Sequence, residues 1–177
     1  MSRRNIYCLV YNNICTWLEK QGESLETPIM KMVDIIQDMS LKTYIEISSE
    51  NYNCIITSES TSKKDNILKF PKYKDSKSIF VFSQDTNDLS KYGDMTNISF
   101  EWMLLDPTTH KMSPQYEILD GKDEVSYLGM NTNKLPKIKL NTIIPFWIGA
   151  KKGDVIAVKN ECVEGTIQAV EYRVVES

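Results

Sequence analysis

Apolar positions near the start of the chain recur at three- and four-residue intervals: Ile6, Leu9, Val10, Ile14, Trp17 and Leu18. That spacing predicts an amphipathic helix, and Gly22 supplies a stop. A second stripe, Ile29, Met32, Val33 and Ile36, predicts another helix, with Thr27 as its cap and Pro28 at its first position. The two stripes are the faces of two helices on a common core. From Lys42 the period changes to two. Thr43 to Ile47 and Tyr52 to Thr57 read as strands joined by a polar turn over 48–51. A Ser/Thr/Lys tract over 58–64 reads as a loop. Ser78 to Phe82 is a short apolar run, consistent with a buried strand. A short helix is predicted over 85–92, ending at Gly93. The alternation of Ile98, Phe100 and Trp102 predicts another strand.

Beyond Leu105 the pattern changes character. Residues 106–177 hold four of the six prolines and five of the seven glycines, so a domain boundary is placed there. Asp120 is placed as the cap of a helix to Leu128, closed by Gly129. Asn141-Thr142 opens a single helical turn through Trp147, closed by Gly149. Asp154 to Lys159 and Ile167 to Val175 alternate as two strands, with a turn at Glu164-Gly165. Pro136 has no N–H to donate, and it holds Leu135 extended, so Leu135-Pro136 marks a strand start or a sheet edge. Such an edge suits a partner strand. The block Ile143, Ile144, Phe146, Trp147 and Ile148 is more apolar than one short helix of a small module can bury. The whole reads as α+β in two domains, 1 to about 105 and about 106 to 177.

Composition narrows the function classes. The chain has 177 residues, 41% of them hydrophobic, with a formal net charge of -3. That is enough apolar material for packed cores, and too little positive charge for a free-standing DNA-coating protein. Lys134, Lys137, Lys139, Lys151 and Lys152 form a local positive excess, read either as contact with an acidic partner or nucleic acid, or as a solvated surface. Lys63, Lys64, Lys69, Lys72 and Lys74 are a second scatter, diluted by Asp65 and Asp75.

Catalytic chemistry finds little support. Cys8, Cys15, Cys54 and Cys162 have no metal-ligand spacing, and His110 is the sole histidine, so a tetrahedral zinc site is not expected. Isolated cysteines read as reduced thiols. His110 lacks a partner in any recognised nucleophile motif and reads as a structural hydrogen-bonding group. No Glu is followed by Lys two positions on, the spacing of metal-dependent nucleases, and no phosphate-binding glycine motif is present. No apolar run has the length of a signal peptide or a membrane span. No cofactor, metal or small-molecule substrate is expected.

The order of motifs in the second half carries a resemblance. Leu135-Pro136-Lys137-Ile138, then Pro145, Gly149-Ala150-Lys151-Lys152-Gly153-Asp154-Val155 and Tyr172-Arg173-Val174-Val175 are similar to the assembly module of the fifth subunit shared by the nuclear RNA polymerases. The family has an archaeal counterpart that lacks an N-terminal jaw. Thr108, His110 and Pro114 stand where that family's module begins, with Tyr116 in place of a second histidine. Ile144-Pro145 replaces the family's Asp-Pro, and Lys159-Asn160-Glu161 replaces its Arg-x-Ser. The motifs cover residues 108–175; over 1–105 the likeness is one of layout only.

The resemblance implies a non-catalytic subunit of a multisubunit DNA-directed RNA polymerase. Its C-terminal module would pack on the largest subunit and aid assembly. Its N-terminal domain would be a jaw with an endonuclease-like α/β core, beside the cleft that admits downstream DNA; the second lysine scatter, Lys63 to Lys74, is read as a weak contact with that duplex. Neighbouring polymerase subunits are the other implied partners. The docking residues implied are Leu135, Pro136, Ile138, Pro145, Phe146, Gly149, Gly153, Tyr172 and Arg173. The departures from the family pattern suit a polymerase encoded by a large DNA virus, which would place the protein in the host cytoplasm or the virion; a cellular version belongs in the nucleus. The rival reading is a free-standing adaptor that recruits polymerase through the same module.

Overall fold

A computed structural model describes residues 3–25, 30–41, 43–62, 78–85, 87–89, 95–110, 113–119, 129, 131–160 and 169–177. The chain is α+β and divides into two compact units, Met1–Leu105 and Asp106–Ser177.

In the first unit, helix α1 spans Arg3–Lys20 and α2 spans Met32–Leu41. The buried face of α1 is broader than the predicted stripe, because Cys8, Tyr11 and Cys15 are buried beside Val10, Ile14, Trp17 and Leu18. Gly22 ends α1 at φ 76°, where its N–H and that of Glu23 return to the carbonyls of Glu19 and Leu18. A glycine takes this left-handed turn without the Cβ clash that other residues suffer. Among the described side chains of α2, Ile35 and Met39 are buried and Ile36 is half-buried; those of Met32 and Val33 lie outside the described ones. The helix begins at Met32 after non-helical Met30 and Lys31; Thr27, Pro28 and Ile29 lie outside the described residues.

Four strands follow: β1 (Tyr44–Ser48), β2 (Tyr52–Thr57), β3 (Ser78–Ser83) and β4 (Met95–Ser99). They form a sheet in the order β1-β2-β3-β4, with β1 antiparallel to β2 and the other neighbours parallel. Residues Asn53–Thr57 of β2 are all buried, as expected for a strand covered on both faces. On one face Trp17 of α1 meets Tyr52 and Phe80 at ring-centroid distances of 5.5 and 5.6 Å. On the other, Ile55, Ile79 and Val81 pack with Leu89.

Two predicted elements differ. Asp85 and Asn87–Leu89 are not helical; the rest of the expected helix over 85–92 lies outside the described residues. Their backbone serves a polar knot instead. The Asn97 amide donates to the carbonyls of Asp85 (2.7 Å) and Asn87 (3.0 Å), while the Ser83 hydroxyl donates to the Asp85 carbonyl at 2.6 Å. A carbonyl held by side chains is unavailable to a helix ladder. The strand expected to reach Trp102 stops at Ser99, whose hydroxyl accepts from the Glu101 N–H and caps a 3-10 turn over Phe100–Met103.

The buried thiols make the first unit sensitive to alkali. Burial pushes the Cys15 thiol up to about 11, and it raises Cys8 and Cys54 as well. In the unfolded chain these thiols ionise near 9.0, so between 9 and 11 the unfolded state sheds protons that the folded state keeps. Stability is therefore full below pH 9 and falls as pH rises toward 11. Urea midpoints followed across that window should drop; a flat profile would contradict the buried placement of Cys15 and Cys54.

The second unit carries strands β5 (Gln115–Leu119), β6 (Lys137–Lys139), β7 (Val155–Asn160) and β8 (Ala169–Glu176), ordered β5-β7-β8-β6. β7 is antiparallel to both β5 and β8, and β6 runs parallel to β8 at the edge. Helix α3 (Ile143–Ile148) precedes β7. Ala150, Ile156, Val158 and Val175 form the core cluster, with Ile118, Ile138, Leu140 and Ile148 packed around it. The helix predicted over 120–128 and the turn at 164–165 lie outside the described residues. Among the described residues no helix is long and apolar enough to cross a membrane.

Candidate docking surface

Strand alternation decides which side chains share a face of the second sheet. In the β7–β8 register Ile156 pairs with Arg173 and Val158 with Glu171. In the β5–β7 register Tyr116 pairs with Val158 and Ile118 with Ile156. Paired residues point to the same side. One face therefore gathers Tyr116, Ile118, Ile156, Val158, Glu171, Arg173 and Val175, and Ile138 joins it through its pairing with Val175. The opposite face takes Tyr172, paired with Ala157, and an ion pair between Lys159 and Glu117.

A groove of about 370 Å³ lies on the first of these faces. Its apolar walls are Pro114, Tyr116, Ile138, Ile144, Ile156 and Val158. Its polar lining is Asn160, Glu171 and Arg173. Arg173 Nη2 donates to Glu171 Oε2 at 3.2 Å, and among the described residues the buried Arg173 Nε finds no acceptor.

The helix beside this groove is built by the sequence signals at its two ends. Thr142 is extended before the first turn, and Gly149 closes the last at φ 71°. The N–H of Gly149 returns to the Phe146 carbonyl (3.2 Å) and that of Ala150 to the Pro145 carbonyl (2.9 Å). This double return satisfies carbonyls that a helix end otherwise leaves open. Of the six residues, Pro145 and Trp147 are buried; Ile143, Ile144, Phe146 and Ile148 are half-buried. The segment after it turns tightly. The N–H of Asp154 bonds to the Lys151 carbonyl, Asp154 Oδ2 accepts from the Lys151 N–H, and Gly153 sits at φ 93° with its N–H on the Val175 carbonyl. The turn stitches the helix exit to the end of β8.

Of the nine predicted docking residues, Ile138 and Arg173 line the groove. Leu135 is half-buried just ahead of β6, and Pro136 is exposed with its carbonyl bound to the Val174 N–H at the start of that edge strand. Phe146 is half-buried on α3, Gly149 and Gly153 shape the two turns, and Tyr172 faces the other side of the sheet. Pro145 is buried inside the unit rather than on an outer surface. Ile144, from the apolar block too large for its helix to bury, lines the groove as well, whereas Tyr116, Ile156, Val158 and Glu171, all on strands, line it without being among the predicted docking residues. Their alternation is legible in the sequence, but the register that brings three strands into line is not written in any one of them.

The start of the unit has a local cause too. Asp106 Oδ1 accepts from the Thr108 N–H (2.9 Å) and hydroxyl (2.6 Å), a turn that suits an Asp-Pro-Thr sequence. His110 is exposed, and among the described residues no group of three or more His, Cys, Asp or Glu could hold a metal ion. Lys134, Lys137, Lys139, Lys151 and Lys152 are all exposed, and Lys137 pairs with Glu176 at 2.8 Å. An exposed pair of this kind contributes little to stability. The lysines Lys63 to Lys74 lie outside the described residues.

This unit coincides with a match to a known domain. The family model described as RNA polymerase Rpb5, C-terminal domain, matches residues 105–175. The C-terminal unit thus resembles the Rpb5 family, as its motifs implied. The match associates the unit with a subunit of RNA polymerase and with transcription. No curated protein matches the chain.

Proposed function

We propose that this protein is a non-catalytic structural and assembly subunit of a multisubunit DNA-directed RNA polymerase, held against the largest subunit by its C-terminal unit. The observation that carries this reading is the Rpb5 C-terminal match over 105–175, which falls on the unit that bears the groove and the half-buried apolar helix. Apolar side chains left half in water beside a groove favour burial against another chain.

The N-terminal unit is proposed as the jaw near downstream DNA. Its support is a mixed sheet whose central strands run parallel and carry a helix on one face, in keeping with an endonuclease-like core. Asp85, just beyond the carboxyl end of β3, engages Ser60 and Thr61 through Oδ2, a structural use. The protein's location follows the enzyme: the nucleus for a cellular polymerase, the host cytoplasm or virion for a viral one.

Affinity purification of the tagged full chain from its native source tests the reading. A subunit should bring the largest polymerase subunit with it in equal amount and keep it through a high-salt wash. Sub-stoichiometric, salt-labile recovery would favour the free-standing adaptor. Recovery of the chain alone would reject both.

A further inference from the structure

We infer that the groove of the C-terminal unit receives a partner polypeptide segment that presents one carboxylate among aliphatic side chains, with Arg173 as the group that takes the carboxylate. The inference rests on the proposed subunit role for its biological setting, and on the groove alone for its chemistry.

The starting point is the unused hydrogen-bonding capacity of Arg173. Its Nε–H is shut away from water with no acceptor among the described residues. Buried polar atoms are almost always paired, so an orphan of this kind points to a partner not yet in place. The bond from Arg173 to Glu171 is 3.2 Å long. A strong guanidinium–carboxylate contact is shorter, about 2.7–2.9 Å. The Arg173 side chain is 42% exposed, so an incoming group can reach the two-pronged edge that a guanidinium presents. A carboxylate is the acceptor whose two oxygens match that two-pronged edge.

The surroundings specify the rest of the occupant. Tyr116, Ile138 and Ile144, half-buried in the same groove as Arg173, offer apolar surface, which favours aliphatic side chains on either side of the acid. Glu171 sets the selectivity. It repels a second acid placed next to the first and competes weakly for Arg173. A basic or polyanionic occupant fits this arrangement poorly: the first meets Arg173, and the second meets Glu171.

Two labelled peptides test this against the full-length protein by fluorescence anisotropy. One carries a single glutamate between leucines; its twin carries glutamine instead. The glutamate peptide should bind about tenfold more tightly, the difference that one charge-assisted pairing commands. Arg173→Met should erase the preference. Arg173→Lys, which keeps the charge and loses the fork, should retain only part of it. Glu171→Gln should tighten binding of the glutamate peptide, a gain that a merely structural Glu171–Arg173 pair would not produce. Equal binding of the twins, absence of binding, or a preference that survives Arg173→Met would overturn the inference. These outcomes are separable from failure of the subunit reading. A chain that brings down polymerase but ignores the carboxylate loses only the groove chemistry. A chain that discriminates the twins but never accompanies polymerase loses only the subunit role.

Discussion

Trp147→Ala should cost the C-terminal unit about 3–5 kcal/mol, the usual loss when a buried tryptophan is truncated to alanine. Trp147 is 1% exposed and is the largest of the fully buried side chains among the described residues. It stands on a helix of six residues, too short to persist in water by backbone hydrogen bonding alone. Packing therefore holds α3, and removing the indole should release the helix together with the turn that ties it to β8. Hydrogen exchange of the β7 and β8 amides should quicken by about a hundredfold or more, since about every 1.4 kcal/mol is a factor of ten. A domain is stable by only about 5–15 kcal/mol, so partial unfolding at warm temperature is the expected companion result. Unchanged exchange would mean that the indole does not anchor the unit.

Ile144→Glu should separate folding from docking. Ile144 is half-buried, lines the groove and sits in the first turn of α3. An acidic side chain there is favoured by the partial positive charge of a helix N-terminus, by about 0.3–1 kcal/mol. The helix should therefore survive the substitution. The groove should not: a carboxylate beside Arg173 would occupy the cation that the partner needs and would repel the partner's own acid. Recovery of polymerase with the tagged variant should fall by about tenfold or more relative to the parent, the loss of one charge-assisted pairing, while circular dichroism stays unchanged. Parental recovery from a folded variant would move the docking surface off the groove.

The fold is readable wherever a local signal has a local cause. Gly22 and Gly149 mark helix stops because a left-handed residue is needed there, and both adopt it. The apolar run at Ser78–Phe82 marks a buried strand, and β3 has a parallel neighbour on each side. Pro136 marks the start of a strand, and β6 begins one residue later at the sheet edge. The failures have the opposite origin. Asp85 and Asn87 look helical by composition, but distant Asn97 claims their carbonyls. Phe100 and Trp102 continue an alternation, but one hydroxyl at Ser99 turns the chain.

The candidate site is half legible. The motifs draw attention to Ile138 and Arg173, and both line the groove. Tyr172 belongs to the same motif as Arg173, but adjacent strand residues face opposite ways, and the register sends it to the other side. Glu171 carries no motif, since its importance arises only where it stands beside Arg173 at the groove. Motif resemblance finds the segment; only pairing finds the face.

The most direct test of the central claim approaches from the other side. The polymerase is isolated through a tag on its largest subunit, washed at high salt and weighed intact by native mass spectrometry. One copy of this 20.4 kDa chain is expected in each complex. The Ile144→Glu variant, supplied in place of the parent chain, should be missing from the complexes. A polymerase of full activity whose mass leaves no room for the chain would contradict the claim.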